Sequence, residues 1–273
     1  MRARFPLFWM VLHRRRRMLA GLVAGMVVFE ALIVLVARAV PPVQLFTSVG
    51  RGVPDSLKAF SGSTGDVSVA SYPGLLGAGL VHPFWIAMQL TAVGALAAAA
   101  VAADVEAGTV ELLMVRPVSR LRLLGERAAA VFAASLALNA AATLAVAGGV
   151  ALSPTIHQVV PLRGVLAAGV LGFAFTLALT GPALAVSAAA RRRAPVIGAT
   201  IALGAVGFAV NFVAMAWHRA APLRYLSPFH YYTPGDALAH GTLPWGPLTV
   251  LLAVGVAGLG TAAPLLLRRD LAP

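Results

Sequence analysis

The stretch VLAAGVLGFAFTLALTGPALAVSAA, residues 165–189, decides the fold class. It contains no charged side chain, and about 20 apolar residues in a helix are enough to cross a hydrocarbon core. Five similar stretches accompany it, at residues 18–36, 84–103, 128–152, 196–217 and 247–267. None shows the alternation over about ten residues that is typical of membrane barrel strands. The sequence therefore predicts an all-α integral membrane protein with six transmembrane helices.

The composition agrees with this class. The chain has 273 residues, of which 60% are hydrophobic and 11% charged, whereas soluble globular domains average about 25% charged residues. Cysteine is absent, which excludes disulfides, thiolate metal sites and a cysteine nucleophile. We therefore expect a single transmembrane domain, residues 1–273, that is held together by helix packing.

The positions of the positive side chains predict the orientation, because cytoplasmic loops near the spans retain Lys and Arg. With the amino terminus inside, six of the 21 Lys and Arg residues remain outside. They are Arg38, Arg51, Lys58, Arg163, Arg219 and Arg224. Trp85, Trp217 and Trp245 fall at outer span ends, where Trp is favoured. Both termini are thus expected in the cytoplasm, and arginines at span ends explain the net charge of +12 without a nucleic-acid partner.

The amino-terminal residues 1–17 mix aromatic and aliphatic side chains with arginines, as a helix lying in the membrane plane does. This interfacial helix either contacts a cytoplasmic partner or only anchors the chain to lipid. The apolar run that follows is longer than the 7 to 15 or so residues of a signal peptide, so we expect an uncleaved first span. Residues 41–83 are expected to form an outer loop with at most short helices.

The segment DVEAGTVELLMVRPVSRLRLLGER, residues 104–127, connects the second and third spans. Pro117 disfavours helix at the residue before it, so residues 106–115 are expected to form a short helix, with Ser119 capping the next one. Val110, Leu113 and Met114 share one face of that short helix. A cytoplasmic apolar face needs a surface to pack on, which is either another protein or the lipid headgroups.

The same segment resembles the connection between the second and third spans of ABC type-2 permeases, the membrane subunits of many bacterial ATP-binding-cassette exporters. The matching residues are Glu106, Gly108, Thr109, Glu111, Leu112, Leu113, Arg116, Pro117, Ser119 and Arg120. LRYLSPFHYYTPGDAL, residues 223–238, is similar to the outer segment that precedes the last span in that family. The resemblance implies a coupling helix at residues 104–127 that binds a cytoplasmic ABC ATPase.

According to the resemblance, two ATPase copies bind ATP and magnesium and move the spans, while the permease pairs with a second copy or a related permease. This chain carries no cofactor and no P-loop of its own, since its one lysine, Lys58, lies in an outer loop. We therefore expect a non-enzymatic subunit of an efflux system in the bacterial plasma (inner) membrane. Its substrate is expected to be drug, lipid or peptide-like. Gly21 and Gly25 have the spacing of a helix-dimer contact.

Polar groups inside spans are costly in lipid and tend to face the bundle interior, where a substrate passes. The candidates for a substrate path are Glu30, Gln89, Asn139 and Asn211. Thr91, Thr176 and Thr180 are further possibilities, and helix-to-helix hydrogen bonding is the alternative explanation for all of these. Glu30 is the only acidic residue well inside a span. Gly181 and Pro182 are expected to kink the fourth span.

The outer residues 218–246 are rich in proline and aromatic side chains. By the resemblance, they fold back toward the membrane as a re-entrant segment, with Tyr225, Phe229, Tyr231 and Tyr232 as candidates for an outer gate. An aromatic anchor at the membrane boundary is the alternative. Two other classes of protein stay open: an ATP-independent secondary transporter, favoured only by Glu30, and an intramembrane enzyme, disfavoured because the histidines lie outside the spans or at their ends.

Overall fold

The computed structural model of the chain describes residues 5–47, 62–63, 67–109 and 119–268. The ordered elements in these ranges are helices joined by short turns. In chain order they are α1 (Pro6–Ala39), α2 (Pro42–Thr47), α3 (Tyr72–Leu80), α4 (Pro83–Ala100), α5 (Ala102–Glu106), α6 (Arg120–Ala151), α7 (Pro154–His157), α8 (Leu162–Ala189), α9 (Arg193–Ala216), α10 (Pro234–His240) and α11 (Trp245–Leu267). Two 3₁₀ helices, His218–Leu226 and Pro228–Tyr231, lie between α9 and α10.

Six helical units are long and apolar enough to cross a membrane: α1, α3 with α4, α6, α8, α9 and α11. The predicted all-α membrane fold with six such helices is therefore confirmed. Large apolar side chains also remain exposed along these helices, for example Val28 on α1, Leu144 on α6 and Val206 on α9. Exposed apolar surface of this kind is what lipid covers in a multi-pass membrane protein.

The centre of the bundle is α8, which packs against α4, α6, α9, α10 and α11. Its contact with α11 depends on glycine, because a Cβ at Gly181 would overlap the carbonyl group of Gly255. A Cβ at Gly258 would likewise overlap the backbone of Gly181 and Pro182. Small residues that let two helix backbones approach are typical of packing inside membranes. Pro182 lies inside α8 at this contact.

The amino-terminal helix differs from its prediction. Residues 1–17 and 18–36 were expected to form two elements, whereas α1 is one continuous helix from Pro6. The chain between Pro6 and Gly21 contains neither Gly nor Pro, and arginine is a good helix former, so nothing ends the helix at the arginine run. Leu7 and Val11 are buried, while Phe5 and Trp9 stay exposed.

In the segment between the first two predicted spans, the described residues 41–47, 62–63 and 67–83 include the short helices α2 and α3. Ser71 caps α3 by accepting a hydrogen bond from the Gly74 N–H at 3.2 Å. The helix α3 packs on α10, far along the chain. It runs into α4 after His82, so the second apolar unit begins earlier than the predicted residue 84.

Candidate functional site

The connection between the second and third spans, residues 104–127, is described only at its two flanks. Residues 110–118 lie outside the described ranges, and with them the predicted coupling residues Glu111, Leu112, Leu113, Arg116 and Pro117. The first flank contains α5 and its end at Thr109, and the second contains Ser119 and the start of α6. We call the end of the bundle where α1 begins and α11 ends the terminal face.

The first flank corrects one prediction. A helix was expected to begin at Glu106, but Glu106 is the last residue of α5. Gly108 follows with φ of 65°, and the N–H groups of Gly108 and Thr109 donate back to the carbonyls of Val105 and Asp104 at 3.1 and 2.9 Å. This pair of bonds is a Schellman motif, which ends a helix at a left-handed glycine. Gly108 is therefore a helix terminator.

The second flank begins as predicted, since the Ser119 side chain accepts a hydrogen bond from the Arg122 N–H at 3.2 Å and caps α6. The next residue, Arg120, reaches the last span. Its Nη1 donates to the carbonyl groups of Leu266 and Leu267 at 3.4 and 3.2 Å. A cation at the C-terminal end of a helix is favourable, because the final carbonyls lack partners within the helix.

Glu106 joins the connection to the fifth span. One carboxylate oxygen accepts hydrogen bonds from the backbone N–H of Arg193 at 2.8 Å and from its Nε at 3.0 Å. Arg193 is the first residue of α9, so the carboxylate lies at a helix N-terminus, where negative charge is stabilised. The hydrogen bonds from the backbone and then from the side chain of Arg193 lower the pKa of Glu106, so the carboxylate stays charged at neutral pH.

Among the described residues of the connection, Arg127 is the most deeply buried cation, with 1% of its surface exposed. It forms an ion pair with Asp104, and its Nη1 donates to the Ala100 carbonyl at 2.7 Å, at the end of α4. The Thr109 hydroxyl donates to the same carboxylate at 3.3 Å. Buried charges are stable in proteins when they are paired in this way. Arg127 thus holds α4, α5 and α6 together at the terminal face.

Glu126 adds a bond to the first helix. Its Oε2 accepts a hydrogen bond from the backbone N–H of Leu7 at 2.9 Å, and its Oε1 accepts one from Arg122 at 2.8 Å. The first N–H groups of a helix have no partner within the helix, so a carboxylate there stabilises the start of α1. Sequence reasoning missed Glu126, Arg127 and Arg193 because these contacts cross 119, 27 and 87 residues of chain.

The two flanks together contact the ends of four long helices. Glu126 binds the start of α1, Arg127 the end of α4, Glu106 the start of α9 and Arg120 the end of α11. Each contact is a charge-assisted hydrogen bond, the stronger and more directional class of hydrogen bond. The connection is therefore bonded to helices beyond the two spans that it joins.

The predicted substrate-path residues separate into groups. Gln89 and Asn139 are buried between α4 and α6, and the Gln89 Nε2 donates to the Asn139 Oδ1 at 3.2 Å. Asn139 Nδ2 in turn donates to the Thr176 hydroxyl on α8 at 3.0 Å. Thr180 donates to the Thr176 carbonyl at 2.8 Å. These bonds link three spans, which agrees with the alternative explanation of helix-to-helix hydrogen bonding.

Glu30 is isolated from that network. It is fully buried at 0% exposure, and neither carboxyl oxygen has a hydrogen-bond partner within the described residues. On α3, a Cβ built on Gly79 would lie 3.4 Å from the Glu30 Oε2. A buried carboxyl without a cation beside it is more stable as the neutral acid. Thr91, in contrast, is exposed and bonds only its own helix, at the Ala87 carbonyl.

The candidate outer-gate residues also separate. Tyr232 is 2% exposed and stacks on Trp85 and Phe175, at centroid distances of 5.5 and 4.5 Å. Its hydroxyl donates to the Leu80 carbonyl at 3.2 Å, and burial raises its pKa well above the usual range, which keeps it a neutral donor. Phe229 contacts Phe175 in the same cluster at 4.8 Å. These two residues lie in the interior.

The other two gate candidates are less buried, Tyr231 partly and Tyr225 largely exposed. Tyr225 is 54% exposed, and its carbonyl accepts a hydrogen bond from the Tyr231 hydroxyl at 3.2 Å. Beside them, a cavity of about 240 Å³ opens between α9 and the 3₁₀ helices, and Asn211, Phe208 and His230 line it. Asn211 therefore lies at this cavity, while Gln89 and Asn139 form the internal network.

Comparison with known protein families and with curated proteins found no match for this sequence.

Proposed function

We propose that this chain is the membrane-spanning permease subunit of an ABC exporter. A separate cytoplasmic ATPase, present in two copies, binds ATP and magnesium and drives a drug, lipid or peptide-like substrate across the bacterial plasma membrane. The observation that supports this most is the attachment of residues 104–127 to the ends of α1, α4, α9 and α11. A segment that only linked two spans would need no bonds to the others.

The terminal face is proposed to be cytoplasmic, with both termini on that side. Residues 104–127 are proposed to be the coupling segment, which binds in a cleft on the ATPase. When two ATPases close on ATP, the connection would be displaced and the four attached helices would move with it. Motion of packed helices as rigid bodies is a common form of such transitions.

A dimer of permeases is the second part of the proposal. The resemblance assigns the first and fifth spans to the dimer contact, and these are the least buried spans of the chain. Within an apolar stretch of 18 residues in each helix, 17% of the residues are buried in α1 and 22% in α9, against 61% in α8. Gly21 adds open space on α1, since no atom lies within 4 Å of a Cβ built there.

The test is to reverse charges in the connection. Glu111→Arg or Arg116→Glu should abolish substrate-stimulated ATP hydrolysis in the reconstituted complex, while the chain still inserts in the membrane. Arg219→Glu, an exposed cation far from the connection, is the matched control and should leave the rate unchanged. Substrate-stimulated hydrolysis at the wild-type rate in both connection variants would refute the coupling role.

Glu30 supports a second candidate, an ATP-independent secondary transporter. A buried carboxyl inside a span without a partner among the described residues is typical of a proton or cation pathway. The two functions separate in one experiment, which is transport by the purified chain in vesicles with a proton gradient and no ATPase. Transport that Glu30→Gln abolishes would favour the secondary transporter. An absolute requirement for the ATPase and ATP would favour the exporter.

A further inference from the structure

A second cavity, of about 570 Å³, lies on the terminal face between α1, α5, α6 and α9. Four arginines line it: Arg14, Arg15, Arg127 and Arg193. Its other walls include Met10, Val11 and Ala99, which are apolar and belong to membrane-spanning helices. The cavity therefore combines a concentrated positive charge with an apolar wall.

Among the described residues, the positive charge at the cavity exceeds what the neighbouring carboxylates neutralise. Asp104 is paired with Arg127, and Glu106 with Arg193. Arg14 and Arg15 form no ion pair with any residue in the described part of the chain. Arg14 and Arg15 thus leave positive charge at the cavity, and a ligand with several charged acceptor oxygens would neutralise it.

We propose that this cavity binds the headgroup of an acidic phospholipid. A phosphate offers several charged oxygens, and guanidinium groups bind it through paired hydrogen bonds. The apolar wall at Met10 and Val11 would receive the glycerol and the first part of an acyl chain. Basic pockets between transmembrane helices recognise lipid headgroups in this way. This site does not depend on the transport function, since lipid binding is a property of the chain alone.

The cavity shares residues with the contacts that join the helices at the terminal face. Arg127 and Arg193, which line the cavity, are the residues that bind the end of α4 and the carboxylate of Glu106. A phosphate bound by Arg15 and Arg193 would bridge α1 and α9 at the same face. Bound lipid should therefore stabilise the terminal face.

The test uses the full chain in mild detergent and measures binding of phosphatidylglycerol by native mass spectrometry, with phosphatidylcholine as the neutral probe. The double variant Arg14→Gln/Arg15→Gln should weaken phosphatidylglycerol binding about tenfold, in line with the contribution of basic residues near anionic lipid. The matched control is Arg16→Gln/Arg17→Gln, which removes the same charge from the same helix at exposed positions outside the cavity. This control should bind phosphatidylglycerol nearly as tightly as the wild type.

Three results would overturn the proposal. Equal loss of binding in both double variants would mean that the arginines attract lipid only through their overall charge. Equal binding of phosphatidylcholine and phosphatidylglycerol to the wild type would remove the requirement for an acidic headgroup. Inorganic phosphate that displaces phosphatidylglycerol and binds as tightly by itself would assign the site to a free anion.

Discussion

The carboxylate of Glu106 accepts two hydrogen bonds from Arg193, one from the backbone N–H that begins α9 and one from the side chain. The two residues are 87 positions apart in the chain. Through this pair, the connection between the second and third spans reaches the start of the fifth. Like the contacts of Glu126 with α1 and of Arg120 with α11, this contact extends beyond the two spans that the connection joins, as the proposed coupling role requires.

Removal of the Glu106 carboxylate should weaken coupling in steps. Glu106→Gln keeps an acceptor for the Arg193 N–H but loses the charge, whereas Glu106→Ala loses both bonds. Transport per ATP hydrolysed should therefore fall from wild type to Gln to Ala, while basal hydrolysis by the ATPase stays the same. The measurement is paired transport and hydrolysis in proteoliposomes. Equal coupling ratios in all three proteins would show that the contact does not transmit motion.

Loss of Arg127 should destabilise the fold strongly. Arg127→Ala leaves the Asp104 carboxylate buried without its partner, and breaking a buried pair costs about 3–5 kcal/mol. Arg122→Ala is the control in the same helix and should cost less, because Arg122 is 53% exposed and the buried Glu126 carboxylate keeps its hydrogen bond from the Leu7 N–H. The free energy of unfolding in mixed micelles measures both. If Arg127→Ala lowers the free energy of unfolding no more than the control does, the buried pair of Arg127 and Asp104 does not hold the helices together.

Two glycines of α11 should respond in opposite ways to alanine. Gly258→Ala places a methyl group against the backbone of Gly181 and Pro182 and should destabilise the protein by about 1–3 kcal/mol or more. Gly260, two residues later, has no atom within 4 Å of a built Cβ, so Gly260→Ala should be neutral or stabilise by up to about 1 kcal/mol. Thermal unfolding in detergent compares them. The same response in both variants would refute the close approach of α8 and α11.

His230 should make the fold sensitive to acid. Burial, and then the charge of Arg224, lower the pKa of His230 below its ordinary value of 6.5. The unfolded chain therefore binds a proton at a higher pH than the folded chain, and stability falls as the pH drops below about 6.5. The unfolding midpoint of the wild type should decrease between pH 7 and pH 5 by more than that of His230→Asn. Parallel pH profiles would show that His230 is not the group responsible.

The proposed dimer can be tested with cysteine, because the natural chain has none. Gly21→Cys on α1 and Gly198→Cys on α9 should each form a disulfide-linked dimer on mild oxidation in membranes. Both positions have open space around the Cβ. Gly260→Cys, equally open but on α11, should stay monomeric. If only Gly260→Cys formed a crosslinked dimer, the dimer contact would lie at the last span, and the proposed contact at the first and fifth spans would be wrong.

The six spans were predictable because each is a long apolar run, and hydrocarbon imposes that pattern locally along the chain. The continuity of the amino-terminal helix was not predictable in the same way. The arginines after Leu12 mark a change of environment, but they do not break a helix, so α1 passes through them unchanged. The end of α5 was also missed, since it depends on Gly108 adopting a positive φ.

The site was predictable only where its bonds are local. Ser119 caps a helix that begins one residue later, so its role follows from spacing alone. Arg193 and Glu126 act on helix ends that are distant in sequence, and a single sequence contains no signal for such pairings. Among the buried polar residues, burial of Glu30, Gln89 and Asn139 followed from their place in apolar spans. Which of them bond to each other depends on how the spans are arranged around α8.

The most direct measurement uses a photo-crosslinking amino acid at Leu113, in the part of the connection proposed to enter the ATPase. Irradiation of intact cells that make the chain should attach it to a soluble protein that carries the nucleotide-binding sequence G-x-x-x-x-G-K-[ST]. The same residue placed at Leu223, in the segment proposed to lie outside, should not capture that protein. Attachment of Leu113 to lipid alone, or its modification by a reagent that cannot cross the membrane, would contradict the proposed coupling.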